Sequence, residues 1–199
     1  MTRRLIQLYA GLVLYGVSIA LMVRAGLGLD PWDVLHQGMA ERVPLSFGAV
    51  TIVVGALVLL AWIPLRQRPG IGTVSNVIVI GLAVDGTLAI LPTPEPLALQ
   101  AVFMLAAVGL NGVATAAYIG ARLGPGPRDG LMTGLVRVTG RSVRLVRTSI
   151  EVTVLALGWL LGGTVGVGTV VYALAIGPLV HVLLPMLAVP ERPHERVRL

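Results

Sequence analysis

The chain has 199 residues, of which 56% are apolar and 12% are charged, and its formal net charge is +6. Soluble domains carry about 25% charged residues, so this composition excludes a disordered chain and argues against an ordinary soluble enzyme. Cysteine is absent, which excludes disulfides, thiolate catalysis and cysteine-ligated metals.

Long apolar segments follow one another along the chain. A helix needs about 20 apolar residues to cross a bilayer. Six segments approach this length, at residues 5–23, 47–65, 71–92, 97–120, 146–163 and 168–189. They predict an all-α membrane protein with six transmembrane helices, in which residues 1–199 form a single membrane domain. We expect the first segment to be retained, because the residues around Val23 make a poor signal-peptide cleavage site.

The arginines predict the orientation in the membrane. With the N-terminus in the cytoplasm, thirteen of the fifteen arginines lie on the cytoplasmic side, and only Arg24 and Arg42 lie outside. Cytoplasmic loops of membrane proteins are enriched in basic residues, so both termini are predicted to be cytoplasmic. The basic excess is then a topology signal, and no nucleic-acid partner is expected. Some arginines are spaced as on one helix face and are expected to contact anionic lipid headgroups, namely Arg137, Arg141, Arg144 and Arg147.

The two halves of the chain resemble each other. A shift of 96 positions aligns them without a gap and matches the pairs Gly28 and Gly124, Pro31 and Pro127, Asp33 and Asp129, Ser46 and Ser142, and Thr73 and Thr169. Each repeat, at about 5–92 and 101–188, contains one long helix, a loop with a short helix, and two more long helices. Three crossings are an odd number, so the second repeat is predicted to be inverted, as in many secondary transporters. If the short helices also crossed, the chain would have eight spans and parallel repeats, but the arginines that follow Arg128 argue against this.

The two loops that hold the short helices are the most distinctive motif. Glycines end the preceding long helix, and proline suits the first turn of the next one. Asp30 is placed to cap the first short helix, and a carboxylate at Asp33 is favoured by the helix dipole. Two interpretations stay open: capping and turn chemistry alone, or a helix terminus that faces a polar cavity. The first loop is expected outside and the second inside, and their candidate residues are Asp30, Pro31, Trp32, Asp33, Pro127, Arg128 and Asp129.

These motifs carry a resemblance to a known family. The stretch from Gly26 to Leu35, and the pairing of Ser46-Phe47-Gly48 with Gly70-Ile71-Gly72-Thr73, resemble the YczE/YyaS/YitT-type family of bacterial integral membrane proteins. The similarity covers roughly residues 5–188 and is greatest to the YczE branch. The resemblance implies a multi-spanning protein of the bacterial inner membrane and supplies no substrate or catalytic residue. Arg128 replaces Trp32 in the second repeat, so the two loops are not expected to be functionally equivalent.

Polar residues within the apolar segments are the other candidates. Ionisable groups at membrane depth are costly and often functional, although interhelical hydrogen bonds are a common alternative role. The candidates for a pathway or polar cavity are Asp85, His181, Asn76, Asn111 and Glu151. For Glu151, a helical pair with Arg147 is an adequate alternative. We expect a polar cavity to reach Asp85 or His181, with Asn76 or Asn111 nearby.

The sequence favours a small-molecule transporter or exporter. The alternative is a non-catalytic membrane accessory or scaffold protein that supports another membrane or biosynthetic system. No enzyme motif is present, so no catalytic, cofactor-binding or metal-binding residue is predicted, and no cofactor is expected. The expected partners are the lipid bilayer and an unidentified small molecule, and self-association into a homo-oligomer stays open.

Overall fold

The computed structural model describes residues 1–190, and within them the chain forms eight helices and no strand. The C-terminal residues Arg192, His194, Arg196 and Arg198, three of which enter the topology prediction, lie outside the described residues. The helices are α1 (Thr2–Ala25), α2 (Pro31–Ala40), α3 (Phe47–Ala61), α4 (Ile71–Ile90), α5 (Leu97–Gly120), α6 (Pro127–Thr139), α7 (Val143–Leu160) and α8 (Val167–Leu187). We call α1–α4 the first half and α5–α8 the second half.

Local sequence signals determine where the helices begin. Proline occupies the first turn of α2 and α6, where its missing N–H costs no hydrogen bond. The side chain of Ser46 accepts a hydrogen bond from Ala49 N (3.1 Å) and caps α3, and Ser142 accepts one from Leu145 N (3.3 Å) and caps α7. Helices α6, α7 and α8 each begin 96 residues after α2, α3 and α4.

Four of the described helices are long and apolar enough to cross a membrane, namely α1, α4, α5 and α8. Helix α3 is apolar but has only 15 residues, because it begins after the cap at Ser46 and ends before Pro64. Helix α7 carries Arg144, Arg147 and Glu151, which lower its hydropathy. The chain is therefore a helical protein with transmembrane helices.

Contacts between helix ends fix the direction of the long helices. Gln7 Nε2, near the start of α1, donates to Ala117 O (2.9 Å) at the end of α5 and to Leu187 O (2.7 Å) at the end of α8. Arg24, at the end of α1, donates to Leu88 O (2.6 Å) at the end of α4. Helix α1 is therefore parallel to α4 and antiparallel to α5 and α8. The largest buried apolar cluster lies along α1, α4 and α5.

Each loop packs on the last helix of the other half. Gly72 N, in the first turn of α4, donates to Leu123 O (2.8 Å) in the second loop. Gly168 N, in the first turn of α8, donates to Leu27 O (2.7 Å) in the first loop. Gly168 lies 96 positions after Gly72, and Leu27 lies 96 positions before Leu123. The two contacts are therefore reciprocal.

Two glycines make this loop packing possible. Gly28 has φ +111° and Gly124 has φ +129°, a region that favours glycine. A Cβ on Gly28 would lie 2.5 Å from Gly166 N, and a Cβ on Gly124 would lie 2.8 Å from Thr73 Oγ1. Any larger residue would therefore push each loop away from the opposite half.

The two halves differ in one packing. Helices α3 and α4 pack closely, and a Cβ on Gly81 would lie 2.6 Å from Gly48 O. Helices α7 and α8 do not form the equivalent packing, and a Cβ on Gly177, which corresponds to Gly81, would have no heavy atom within 4 Å. One pair of helices is thus closed and its counterpart is separated.

The arginine row does not lie on one helix. Arg137 belongs to α6 and Arg144 and Arg147 belong to α7, while Arg141 lies in the connection between them. Gly140, with φ +65°, ends α6 in the left-handed conformation and breaks the helical spacing. The expectation of a single arginine face is therefore wrong.

Candidate ligand-binding cavity

A cavity of about 300 Å³ lies between the two halves, and we call it the central cavity. All eight helices contribute to its lining. Tyr15, near the middle of α1, is one of the lining residues, so the cavity lies at the centre of the bundle. Its volume is at the lower end of the range of about 300–1,000 Å³ that is typical of small-molecule sites.

The two loops meet in this cavity through Arg128. Its Nη1 lies 3.6 Å from Asp30 Oδ1, and its Nη2 lies 3.5 Å from Asp33 Oδ1. Its guanidinium carbon lies 5.0 Å from the centroid of the Trp32 ring, within the range of a cation–π contact. The helix starts that the sequence assigns to opposite faces of the membrane are therefore in contact inside the protein.

Asp30 and Asp33 are buried, with 4% and 2% of their surface exposed. Asp30 Oδ1 caps α2 by accepting hydrogen bonds from Trp32 N (2.9 Å) and Asp33 N (3.1 Å). Asp33 Oδ1 also lies 3.0 Å from His36 Nδ1. Because Asp30 also lines the cavity, it combines the two roles that its sequence motif left open.

Asp129 and Glu151 bring two more carboxylates to the cavity. Asp129 Oδ2 accepts a hydrogen bond from Tyr118 OH (3.4 Å), and among the described residues no basic group lies within 4 Å of it. Glu151 Oε1 accepts from Arg147 Nε (2.9 Å), one turn earlier on α7. The side chains of Arg147 and Glu151 are 59% and 42% exposed, so the cavity reaches the surface of the protein beside α7.

Aromatic residues form another part of the lining. Tyr15 and Tyr118 meet edge to face, with ring centroids 6.0 Å apart. Tyr172 OH donates to Asn111 Oδ1 (3.0 Å), and Asn111 Nδ2 donates to Ser18 Oγ (2.9 Å). Asn111 therefore lies behind the cavity and positions Tyr172. Three of the four tyrosines of the chain line the cavity, and sequence reasoning missed all three because scattered tyrosines show no pattern.

Asp85 and His181 do not line the central cavity. Asp85 Oδ2 accepts from Ser46 Oγ (2.5 Å) and its Oδ1 accepts from Gly48 N (2.8 Å), so it joins α4 to the first turn of α3. His181 is exposed on α8. The carboxylate of Asp85 is used between helices, and the expectation that a polar cavity reaches Asp85 or His181 stays a prediction. Asn76, in contrast, does line the cavity.

The sequence signal for the remaining lining residues was weak. His36 is buried beside Asp33, with its ring edge to face against Phe47 at 6.1 Å. Its position one turn after Asp33 on α2 was the one indication in the sequence.

Pro31 and Pro127 also line the cavity, and Pro127 O accepts from Trp62 Nε1 (3.0 Å). Every candidate of the loop motif except Asp33 thus contributes directly to the lining, and Asp33 acts through Arg128.

These features define a helical membrane protein with a charged cavity at its centre. The chain belongs to a family of unknown function, DUF6198, which matches residues 2–185. It is 42% identical over 186 residues to an uncharacterized protein of Haemophilus influenzae, covering 93% of this chain and 85% of the relative.

Two relatives from Bacillus subtilis agree with the resemblance seen in the sequence. The uncharacterized membrane protein YczE is 34% identical over 180 residues, covering 89% of this chain and 83% of the relative. The uncharacterized protein YyaS is 24% identical over 180 residues, covering 88% of this chain and 90% of the relative. The YczE-type resemblance is confirmed. No solved structure matches the chain.

Proposed function

We propose that this protein is a small-molecule transporter or exporter of the bacterial inner membrane. The observation that carries the proposal is the contact of Arg128 with Asp30 and Asp33, which joins the two loops at a central cavity. Transporters with inverted repeats commonly bind their substrate near the bilayer midplane, between the repeats, at the N-termini of interrupted helices. Under this proposal the protein is not an enzyme.

The proposed topology has six crossings in two inverted three-helix repeats. Because α1 and α4 run in the same direction, the chain must cross back between them, and α3, which is antiparallel to α4, supplies that crossing. Helix α7 does the same between α5 and α8. The reciprocal bonds from Gly72 to Leu123 and from Gly168 to Leu27 support a two-fold relation between the halves. With the termini cytoplasmic, α6 and the start of α7 face the cytoplasm, where their arginines contact anionic headgroups.

The difference between the two helix pairs supports alternating access. In the proposed orientation, Gly48 and Asp85 close the outer side between α3 and α4. Arg147 and Glu151 lie on the cytoplasmic half of α7, where α7 and α8 are separated. The cavity then faces the cytoplasm, and the outward-facing state is reached by packing α7 on α8 and separating α3 from α4. Rocking of one repeat against the other is the usual means of alternating access.

Single-cysteine labelling tests this proposal, and the absence of native cysteine makes it practicable. Asn76→Cys, which places the thiol in the cavity, should react with a membrane-impermeant maleimide in inside-out vesicles, and more slowly from the outside. Leu12→Cys, in the buried core, is the matched control and should not react. If Asn76→Cys reacts from neither side, the cavity has no aqueous access and the accessory or scaffold alternative is favoured.

A further inference from the structure

We propose that the central cavity binds a small organic cation, in which an ammonium group is attached to an apolar or aromatic body. This inference rests on the proposed transport function and names its substrate class. It depends on three properties of the cavity: the excess of acidic over basic residues, the ion pairs that its arginines already form, and the aromatic groups in its lining.

Carboxylates outnumber cations at the cavity. Three acidic residues line it, and Asp33 is paired with Arg128; the four are Asp30, Asp33, Asp129 and Glu151. Two arginines line it, Arg128 and Arg147. With all four carboxylates ionised, they exceed the two arginines by two negative charges. Charge removed from water is costly unless it is paired, so a bound cation would stabilise this arrangement and a bound anion would oppose it.

Both arginines are already engaged. Arg128 lies between Asp30 and Asp33, at 3.6 and 3.5 Å, and its side chain is 29% exposed. Arg147 is paired with Glu151 at 2.9 Å. An anionic ligand would have to separate one of these arginines from its carboxylate. Asp129, in contrast, has a hydrogen bond from Tyr118 and no basic group within 4 Å among the described residues, so it is the carboxylate available to an ammonium group.

The lining also suits the apolar part of an organic cation. Trp32 already holds a cation at 5.0 Å from its ring centroid. Tyr15, Tyr118 and Tyr172 lie on the α1, α5 and α8 sides of the same cavity. Aromatic faces attract cations through the ring quadrupole and recur in sites that recognise quaternary ammonium groups. A small inorganic cation would cover little of this aromatic and apolar lining, which is why the proposal is an organic cation.

A matched set of ligands tests the proposal on the purified full-length protein in detergent. The probes are benzyltrimethylammonium, benzoate and benzyl alcohol, which share one ring and differ in charge. Isothermal titration calorimetry should show binding of benzyltrimethylammonium, with benzoate and benzyl alcohol at least tenfold weaker. Asp129→Asn should weaken the binding of the cation at least tenfold. Glu95→Gln, which removes an exposed carboxylate in the connection between α4 and α5, outside the cavity, is the control and should bind like the wild type.

Several results would overturn the inference. Equal binding of benzyl alcohol would mean that charge is not recognised, preference for benzoate would mean an anion site, and no binding of the cation by the wild type would mean no such site. If Asp129→Asn fails to fold, Glu151→Gln and Trp32→Leu replace it, and unaltered cation binding in both would contradict the proposal. Labelling of Asn76→Cys without cation preference would leave the transport proposal standing and reject only the substrate class.

Discussion

Asp33 and Arg128 are 95 residues apart in the chain, and their side chains lie 3.5 Å apart inside the helical bundle. Arg128 corresponds, by the 96-residue shift, to Trp32, and the two stack at 5.0 Å. Under the proposed two-fold relation between the halves, equivalent residues that are in contact lie close to the axis. The ion pair therefore lies where the halves meet, and it is the most sensitive point of the proposed site.

Removal of the arginine should destabilise the protein. Arg128→Gln would leave Asp30 and Asp33 buried without a counter-ion, and breaking a buried pair in this way costs about 3 kcal/mol. Thermal unfolding in detergent should show a clear loss of stability. Combining Arg128→Gln with Asp33→Asn should restore part of it, because the unpaired charge is then also removed. An unaltered unfolding temperature in the single variant would mean that the ion pair contributes nothing to the fold.

The loop glycines should not tolerate alanine. Gly28→Ala and Gly124→Ala each combine a positive φ with a close approach to the opposite half, and each should lower stability by more than about 1 kcal/mol. Gly109→Ala is the control, since Gly109 lies within α5 and a Cβ there meets no heavy atom within 4 Å. It should be neutral or slightly stabilising. Thermal unfolding of the three variants side by side distinguishes loop packing from a general effect of adding a methyl group.

The orientation can be measured independently of transport. Thr93→Cys, in the connection between α4 and α5, and Val165→Cys, between α7 and α8, should be labelled from the outside of intact cells. Gln67→Cys, between α3 and α4, should be labelled only after the membrane is opened. The reverse pattern, with Gln67→Cys accessible and Thr93→Cys protected, would place the termini outside and reject the topology.

Crosslinking should reveal the difference between the closed and the separated helix pairs. In the double variant Ser46→Cys with Asp85→Cys, an oxidant should form a disulfide, because the native side chains are within hydrogen-bond distance. The equivalent pair, Ser142→Cys with His181→Cys, should crosslink far more slowly in the same preparation. For each double variant, the chain is cleaved in a loop between the two cysteines and run on a gel without reductant. A disulfide is present if the two fragments still migrate together. Equal rates would mean that the two halves are packed alike and that the cavity does not face one side.

The positions of the helices were largely predictable from short-range signals. Ser46, Ser142, Pro31 and Pro127 mark helix starts by hydrogen bonds or backbone angles that involve neighbours in the chain. Such signals also predicted the short helices of both loops. The short α3 was less predictable, because the apolar run continues to Leu65 after the helix has ended at Ala61.

The composition of the site was only partly predictable. The loop motif identified Asp30, Arg128 and Asp129, but their meeting depends on how far each loop inserts between helices, which local sequence does not determine. The contacts of Asp85 were unpredictable for a related reason. Its partners, Ser46 and Gly48, are reached only because glycines let α3 approach α4, and that approach is a property of the packed protein.

The stacking of Trp32 on Arg128 also bears on why both halves are carried by one polypeptide. In a symmetric dimer of identical half-length chains, a residue beside the dyad faces a copy of itself. An arginine there would face a like charge, and a tryptophan there would face a tryptophan and leave the carboxylates with no cation between them. Covalent fusion removes this restriction, because the two positions can then hold different amino acids. Two separately expressed fragments, divided between Thr93 and Pro96, should accordingly assemble as a one-to-one heterodimer and not as homodimers.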